Sequence, residues 1–228
     1  MPLRLATWNV HGCVGGDGRF DPARVLTVLR SLDADVIALQ ELRWDAREAL
    51  HLLHHFGRAL DYATIAGPTM LRRDGHYGNA LLHRLPLLDM QRVDLSIDRH
   101  EPRGAIDALL RAPSAPIRVM STHLGLRPRE RRRQMRRLLR ILDGDGDRLT
   151  VLMGDLNEWF LWGRPLRWLH SWFGYTPSPR TFPSRLPLFA LDRIWVHPRS
   201  RLVRIAALSG GGASAASDHL PVVADVVA

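Results

Sequence analysis

A chain of 228 residues, 46% of them apolar, can bury a full core and is expected to form one domain over residues 1–228. No apolar run is long enough to span a bilayer, and MPLRLATWNVHG enters a strand and then a motif at once, so neither a transmembrane segment nor a secretory leader is expected. The single Cys13 excludes an internal disulfide framework and suits a reducing cytoplasm, while a net charge of +9, carried with arginine and no lysine, favours anionic partners such as nucleic acid or an acidic lipid surface.

Leu3 to Asn9 alternates as a strand. DPARVLTVLRSL (21–32) has helical spacing behind Asp21 as N-cap and Pro22 at N1. DADVIALQE (33–41) is a short apolar run ending in two polar residues, the pattern of a buried strand that delivers side chains at its C-terminal end. An amphipathic helix fits 45–57, and strands fit 79–83, 104–110, 117–123, 149–154, 193–197 and 221–227. Helix is expected from Pro128 to about Leu142 and again around 164–173. SGGGASAAS (209–217) is low in complexity and reads as a mobile loop. Strands alternate with helices early and cluster later, an order that suits an α/β sandwich of two facing mixed sheets with helices outside.

Only three asparagines occur, Asn9, Asn79 and Asn157, in the strings TWNVHG, GHYGNALL and MGDLNEW. A retained amide is informative where Ser, Asp or Gly would fill most surface roles, because an amide can both coordinate a cation and donate to a phosphate oxygen. Asn79 is therefore taken as a candidate contact to substrate phosphate. Glu41, closing IALQE, is the strongest candidate cation ligand, since a bound metal offsets the cost of burying a carboxylate behind four apolar residues. An exposed strand-end Glu is the plainer alternative. In MGDLN, strand periodicity turns Asp155 and Asn157 the same way, toward one phosphate; a turn is the competing reading. SDHLP sets Asp218, able to reach a metal, beside His219, able to take a proton from water at an expected solvent-facing strand end. Asp192, between apolar residues in ALDRIWV, can hold His219 in one tautomer, and STHL supplies His123 at another strand end.

The strings TWNVHG, LQE, YGNALL, STHL, GDLN, LDRIWV and SDHLP, in this order from Asn9 to His219, resemble the endonuclease/exonuclease/phosphatase superfamily, the deoxyribonuclease-like and sphingomyelinase-like phosphodiesterases. The resemblance implies a four-layer αββα sandwich, a single catalytic domain, dependence on Mg²⁺ or Mn²⁺, and one site between the sheet edges. It implies metal held by Asn9 and Glu41 with Asp218 in the same cluster. It also implies His219 as general base oriented by Asp192, Asp155 and Asn157 positioning phosphate and nucleophile, and His123 stabilising the transition state or protonating the leaving oxygen. His11 stands where the abasic-site nucleases place an Asp, and they lack the His of STHL, which leans away from a dedicated abasic-site enzyme.

Three segments bear on substrate. Arg103, just before a strand, can grip phosphate bidentately or pair with Glu101 or Asp107. RPRERRRQMRRLLR (127–140) reads first as a solvated helix face and second as a phosphate-binding one. EWFLWGRPLRWLHSWF (158–173) holds four of the seven tryptophans, and the consecutive Trp159, Phe160, Leu161 and Trp162 cannot all be buried by one helix or strand. Trp159 and Trp162 are thus candidates to stack on bases or enter a lipid interface. The expected function is a phosphodiesterase acting on nucleic acid, DNA or RNA. A phospholipid or sphingolipid headgroup is the alternative substrate, and a catalytically inactive anion-binding module the rival from another class.

Overall fold

The computed structural model describes residues 2–44, 51–72, 75–143 and 148–228, with backbone alone at 44, 51, 71–72 and 75–76. In chain order the elements are β1 (Leu3–Asn9), α1 (Pro22–Leu32), β2 (Val36–Trp44), α2 (His51–Leu60), β3 (Ala63–Arg72), β4 (Gly75–His83), β5 (Leu87–Asp94), β6 (Gly104–Arg111), β7 (Pro116–His123), α3 (Pro128–Leu142), β8 (Thr150–Asp155), α4 (Arg164–Phe173), β9 (Asp192–His197), β10 (Leu202–Ala207), α5 (Ala213–Ala216) and β11 (Val222–Val226). The first part of the helix expected over 45–57 lies outside the described residues, and its described part is α2.

The strands form a six-stranded sheet, β10-β11-β1-β2-β4-β3, and a five-stranded sheet, β5-β6-β7-β8-β9. Both are mixed, because β1 runs parallel to β2 and β7 parallel to β8 while the other pairs are antiparallel. Strand side chains alternate between faces, and that period builds three apolar layers. Leu5, Ala38 and Leu81 of one sheet meet Ile106, Val119 and Val151 of the other between the sheets. The opposite faces bury Trp8, Ile37 and Leu39 under α1 and α2, and Met120, Leu152 and Trp195 under α3 and α4. The result is a four-layer αββα sandwich. The caps follow the sequence: Asp21 accepts from the backbone N–H groups of Ala23 and Arg24 ahead of Pro22.

Three strands absent from the sequence expectation, β3, β5 and β10, are all sheet edges. An edge strand buries less and alternates weakly, and β3 also carries Gly67-Pro68, tolerated where the ladder shifts register between Pro68 and Met70. The segment 209–217 departs from the expected loop. It contains α5, whose Ala213 and Ala216 are buried against α1, since small side chains permit close helix packing where a low-complexity reading suggests motion. Among the described residues no helix is long and apolar enough to cross a membrane.

Candidate active site

The same alternation that builds the inner core carries polar side chains to one rim of it. On β1, Leu3, Leu5 and Thr7 face the other sheet and Asn9 continues that face. In the second sheet His123, Asp155 and Asp192 are lateral neighbours, His123 opposite Asp155 and Asp155 opposite Asp192. Three strands thus present a row of imidazole and two carboxylates directly across the gap from Asn9. The Asn9 amide closes the gap: its Nδ2 donates to Glu41 Oε1 and to Asp155 Oδ2, each at 3.0 Å.

Two residues arrive by backbone geometry and not by strand periodicity. After Gln40, whose side chain bonds Thr7 on the inner face, strict alternation would send Glu41 outward. Glu41 instead has φ +56° within a register shift between Leu39 and Leu42, so this carboxylate sits in a mid-strand bulge and not at a strand end. Asn157 lies beyond the end of β8 at φ +50°. Its N–H donates to Asp155 Oδ1 (2.8 Å) and its Nδ2 to Leu124 O (2.9 Å), which folds the amide back against His123. Non-glycine residues at such φ cost about 1–3 kcal/mol and persist where the surroundings hold them. Gly154, at φ +145°, has no room for a Cβ, which would stand 1.8 Å from Thr122 O, so the GDLN turn requires glycine there.

His219 is buried in the turn before β11, a correction to the solvent-facing strand end expected for it. It is held on every side. Its Nδ1 is 2.7 Å from Asp192 Oδ2, its N–H donates to Ser217 Oγ, its carbonyl accepts from Trp8 Nε1, and its ring packs 4.8 Å from Phe182. The free Nε2 lies 3.9 Å from Asp155 Oδ2. Burial opposes a charge on this ring, but Asp192, Asp155 and Asp218 together outweigh it and raise its pKa to about 10, so the bare constellation holds His219 protonated. Burial also lifts the carboxyl of Asp155, to about 6, with Asp192 adding to the shift and His219 and Asn9 opposing it.

His123 is the opposite case. Burial, then the charges of Arg103 and His219, push it well below the usual histidine range, so the ring is neutral. Arg103 Nη1 lies 2.9 Å from Nδ1 and the Asn157 amide nitrogen 2.9 Å from Nε2, so two donors compete for the one acceptor of a neutral ring. The guanidinium is always charged and the stronger donor, which favours the acceptor at Nδ1 and the ring proton on Nε2. That Nε2 stands 3.5 Å from Asp155 Oδ2 and 2.9 Å from Asn157 Nδ2. A neutral ring of this tautomer can donate a hydrogen bond to a phosphoryl oxygen, whereas protonating a leaving group would require the charged form. Arg103 also reaches Glu101 (3.3 Å), one of the two alternatives weighed for it; Asp107 is taken by Arg118. The Arg103 Nε is buried with no hydrogen-bond partner among the described residues.

The remaining candidates fall around this centre. Asp218 is half-exposed, its carboxylate 3.7 Å from His11 Nδ1 and 3.4 Å from Ser217 Oγ. Asn79 is buried and its Nδ2 donates to Gly104 O, tying β4 to the strand beginning beside Arg103. Trp159 stacks edge-on to Phe182 and Phe189, whereas Trp162 is largely in solvent. Cys13 is buried and its thiol is pushed up to about 12 by burial and Asp21, which leaves it inert.

Sequence reasoning missed Tyr77, whose hydroxyl hydrogen-bonds the Glu41 carboxylate; burial and that carboxylate raise its pKa. It sits in the string already singled out for Asn79, two positions away on the same strand, which was the available signal. Ser217 was also missed: its hydroxyl donates to Asn9 O, fastening the last motif to the first.

The hard donors here are oxygens: the Glu41 carboxylate, partly open to solvent, the Asn9 amide oxygen, which accepts from the His11 N–H at 3.0 Å, and Oδ1 of buried Asp192, unpartnered among the described residues. Such a set fits an oxygen-seeking divalent cation such as Mg²⁺ or Mn²⁺. Asp155, Asp192 and His219 also offer donor atoms within 4.8 Å of one another. Asp192 Oδ2 is already engaged by His219 Nδ1, however, so the trio is not an open ligand set as it stands.

A model of the endonuclease/exonuclease/phosphatase family matches residues 6–219. The chain is 31% identical, over 245 residues covering 98% of it and 96% of the relative, to a protein of Escherichia coli strain K12 known as uncharacterized protein YbhP. A functionally unknown conserved protein from Enterococcus faecalis V583 superposes with a TM-score of 0.81 at 20% identity, covering 99% of both chains. A mannosyl-6-phosphatase from Bacteroides thetaiotaomicron VPI-5482 superposes with a TM-score of 0.77 at 18% identity, covering 99% of this chain and all (100%) of that one. At these identities the two structures speak for the fold.

Proposed function

Because the chain belongs to the endonuclease/exonuclease/phosphatase family, we propose that it is a divalent-cation-dependent phosphodiesterase, with the whole chain as one catalytic domain. The observation that carries this reading is the continuous set Glu41–Asn9–Asp155 with His219–Asp192 beside it, acid, amide and imidazole from opposite ends of the chain around one gap. Asn9 and Glu41 would hold the cation, with Asp218 in its outer field. Bound there, a divalent cation supplies charge that offsets the local carboxylates and polarises a phosphoryl oxygen.

The chain's own groups do the rest. Water attacks phosphorus, a new P–O bond forms as the ester P–O bond breaks, and the water's proton passes to Nε2 of neutral His219, the form that a cation offsetting the local carboxylates would favour, while Asp192 stabilises the resulting imidazolium. The leaving oxygen takes its proton from solvent. Asp155 and Asn157 orient the nucleophile and phosphate. The Nε2–H of His123 and the buried Arg103 meet charge that develops on the phosphoryl oxygens.

A polyanionic substrate is supported by the net charge of +9, which suits DNA or RNA. The exposed apolar side chains beside the site favour a phospholipid headgroup instead. A catalytically inactive anion-binding module is disfavoured because no acid, amide or terminal histidine of the set is lost. The single buried Cys13 is compatible with a cytoplasmic setting. The reading is tested by assaying bis(p-nitrophenyl) phosphate, p-nitrophenyl phosphate, plasmid DNA and phosphatidylglycerol vesicles side by side, with and without Mg²⁺. Mg²⁺-dependent turnover of a diester supports it; turnover of the monoester alone makes the protein a phosphatase, and turnover of none favours the binding module.

A further inference from the structure

The loop that leaves the GDLN turn exposes Phe160, Leu161 and Trp162 at 52%, 67% and 73%, beside Leu126 at 61% in the loop before α3. These loops form one tip. The buried guanidinium of Arg131 joins them, donating to Leu126 O and to both carboxylate oxygens of Glu158, which accepts in turn from Phe160 N. An apolar tip pinned by a buried ion pair is built to stay outward and is not a frayed loop. It connects to the candidate site by aromatic contacts: Trp159 meets Phe182 at 5.6 Å, and Phe182 meets the His219 ring at 4.8 Å. Around it, Arg129 opens α3 and Arg164 opens α4, both exposed.

We infer that this tip and its arginines seat the protein on an anionic phospholipid bilayer, with the lipid headgroup phosphodiester presented to the site. Two features choose a bilayer over nucleic acid. Leu126 and Leu161 have no π-face on which a base can stack, whereas hydrocarbon rewards them as it does Phe and Trp. Aromatic and leucine side chains ringed by arginine also match an interface that is apolar below and anionic at the headgroups. The catalytic part rests on the phosphodiesterase reading; the docking does not.

Flotation with vesicles of phosphatidylglycerol and phosphatidylcholine in equal parts, against phosphatidylcholine alone, tests it. The wild-type chain floats with the anionic vesicles and its tryptophan emission shifts to the blue. Leu126→Ser/Leu161→Ser lowers partitioning about 10- to 100-fold, and Arg129→Gln and Arg164→Gln lower it about fivefold each, all with unchanged unfolding midpoints. Failure to float, flotation of the leucine variant like wild type, or a blue shift on oligothymidylate but not on vesicles overturns the docking. Flotation without Mg²⁺-dependent hydrolysis of bis(p-nitrophenyl) phosphate or of the vesicle lipid leaves the docking standing and removes the hydrolase reading, while hydrolysis without flotation does the reverse.

Discussion

Asn9 and Asp155, 146 positions apart and on different sheets, are joined by a 3.0 Å hydrogen bond from the Asn9 amide. The contact fixes the width of the gap between the sheet rims. It also couples the two halves of the site, because the same amide nitrogen reaches Glu41 and the same carboxylate oxygen faces His219. A change on either rim should therefore be felt on the other.

Glu41 and Tyr77 should control metal affinity more than turnover. Glu41→Gln keeps shape but removes charge, and the Mg²⁺ concentration for half-maximal activity should rise by at least about tenfold. Tyr77→Phe removes only a hydrogen bond to the ligand, so a smaller shift in the same direction is expected, at or below the lower end of the roughly 10- to 100-fold typical of groups that orient metal ligands. Mg²⁺ titration of activity checks both, and unchanged curves would reassign the ligand.

Asp192→Asn should lower kcat roughly 10²- to 10⁴-fold with little change in KM, since the amide cannot stabilise the imidazolium and permits the wrong tautomer. Steady-state kinetics on a soluble diester read this directly. A rise in KM at constant kcat would mean that Asp192 serves binding.

Arg103 should set the tautomer of His123. ¹⁵N NMR of the histidine side chains should show Nδ1 of His123 as an unprotonated acceptor and Nε2 protonated in the wild type. In Arg103→Ala that preference should weaken and turnover fall about tenfold or more. An Nδ1–H signal in the wild type would contradict the assignment.

The Arg131–Glu158 pair should matter to stability. Both side chains are almost fully buried, so Glu158→Ala strands a charge and should cost about 3–5 kcal/mol, eased where carbonyl groups of Gly125 and Leu126 still accept from Arg131. Arg131→Met/Glu158→Leu removes both charges and should be milder than the single change. Urea unfolding of the three proteins decides; a double variant less stable than the single one would refute this account of the pair.

Much of this site was legible because buried strands end in polar residues. Asn9, His123, Asp155 and Asp192 all continue the inner-facing set of their own strands, but β8 and β9 are buried on both faces, so apolar runs marked the strand ends and the facing came only with the fold. Glu41 and Asn157 were named for their chemistry, yet the means by which they arrive was not readable: each turns inward through a left-handed backbone, which leaves no periodic trace. The Tyr77–Glu41 and Arg103–His123 contacts join strands distant in sequence, and local spacing is silent about such pairs. Arg103 looked equally suited to Asp107 until the fold gave Asp107 to Arg118. The edge strands β3, β5 and β10 were lost for want of burial.

The most direct measurement compares wild type and His219→Ala on bis(p-nitrophenyl) phosphate in Mg²⁺, with EDTA added and then excess Mg²⁺ restored. The account predicts that EDTA abolishes wild-type turnover, that Mg²⁺ returns it, and that the variant is slower by roughly 10²- to 10⁴-fold while unfolding at a temperature within a few degrees of wild type. Turnover indifferent to EDTA, or a folded variant within a few-fold of wild type, would contradict it.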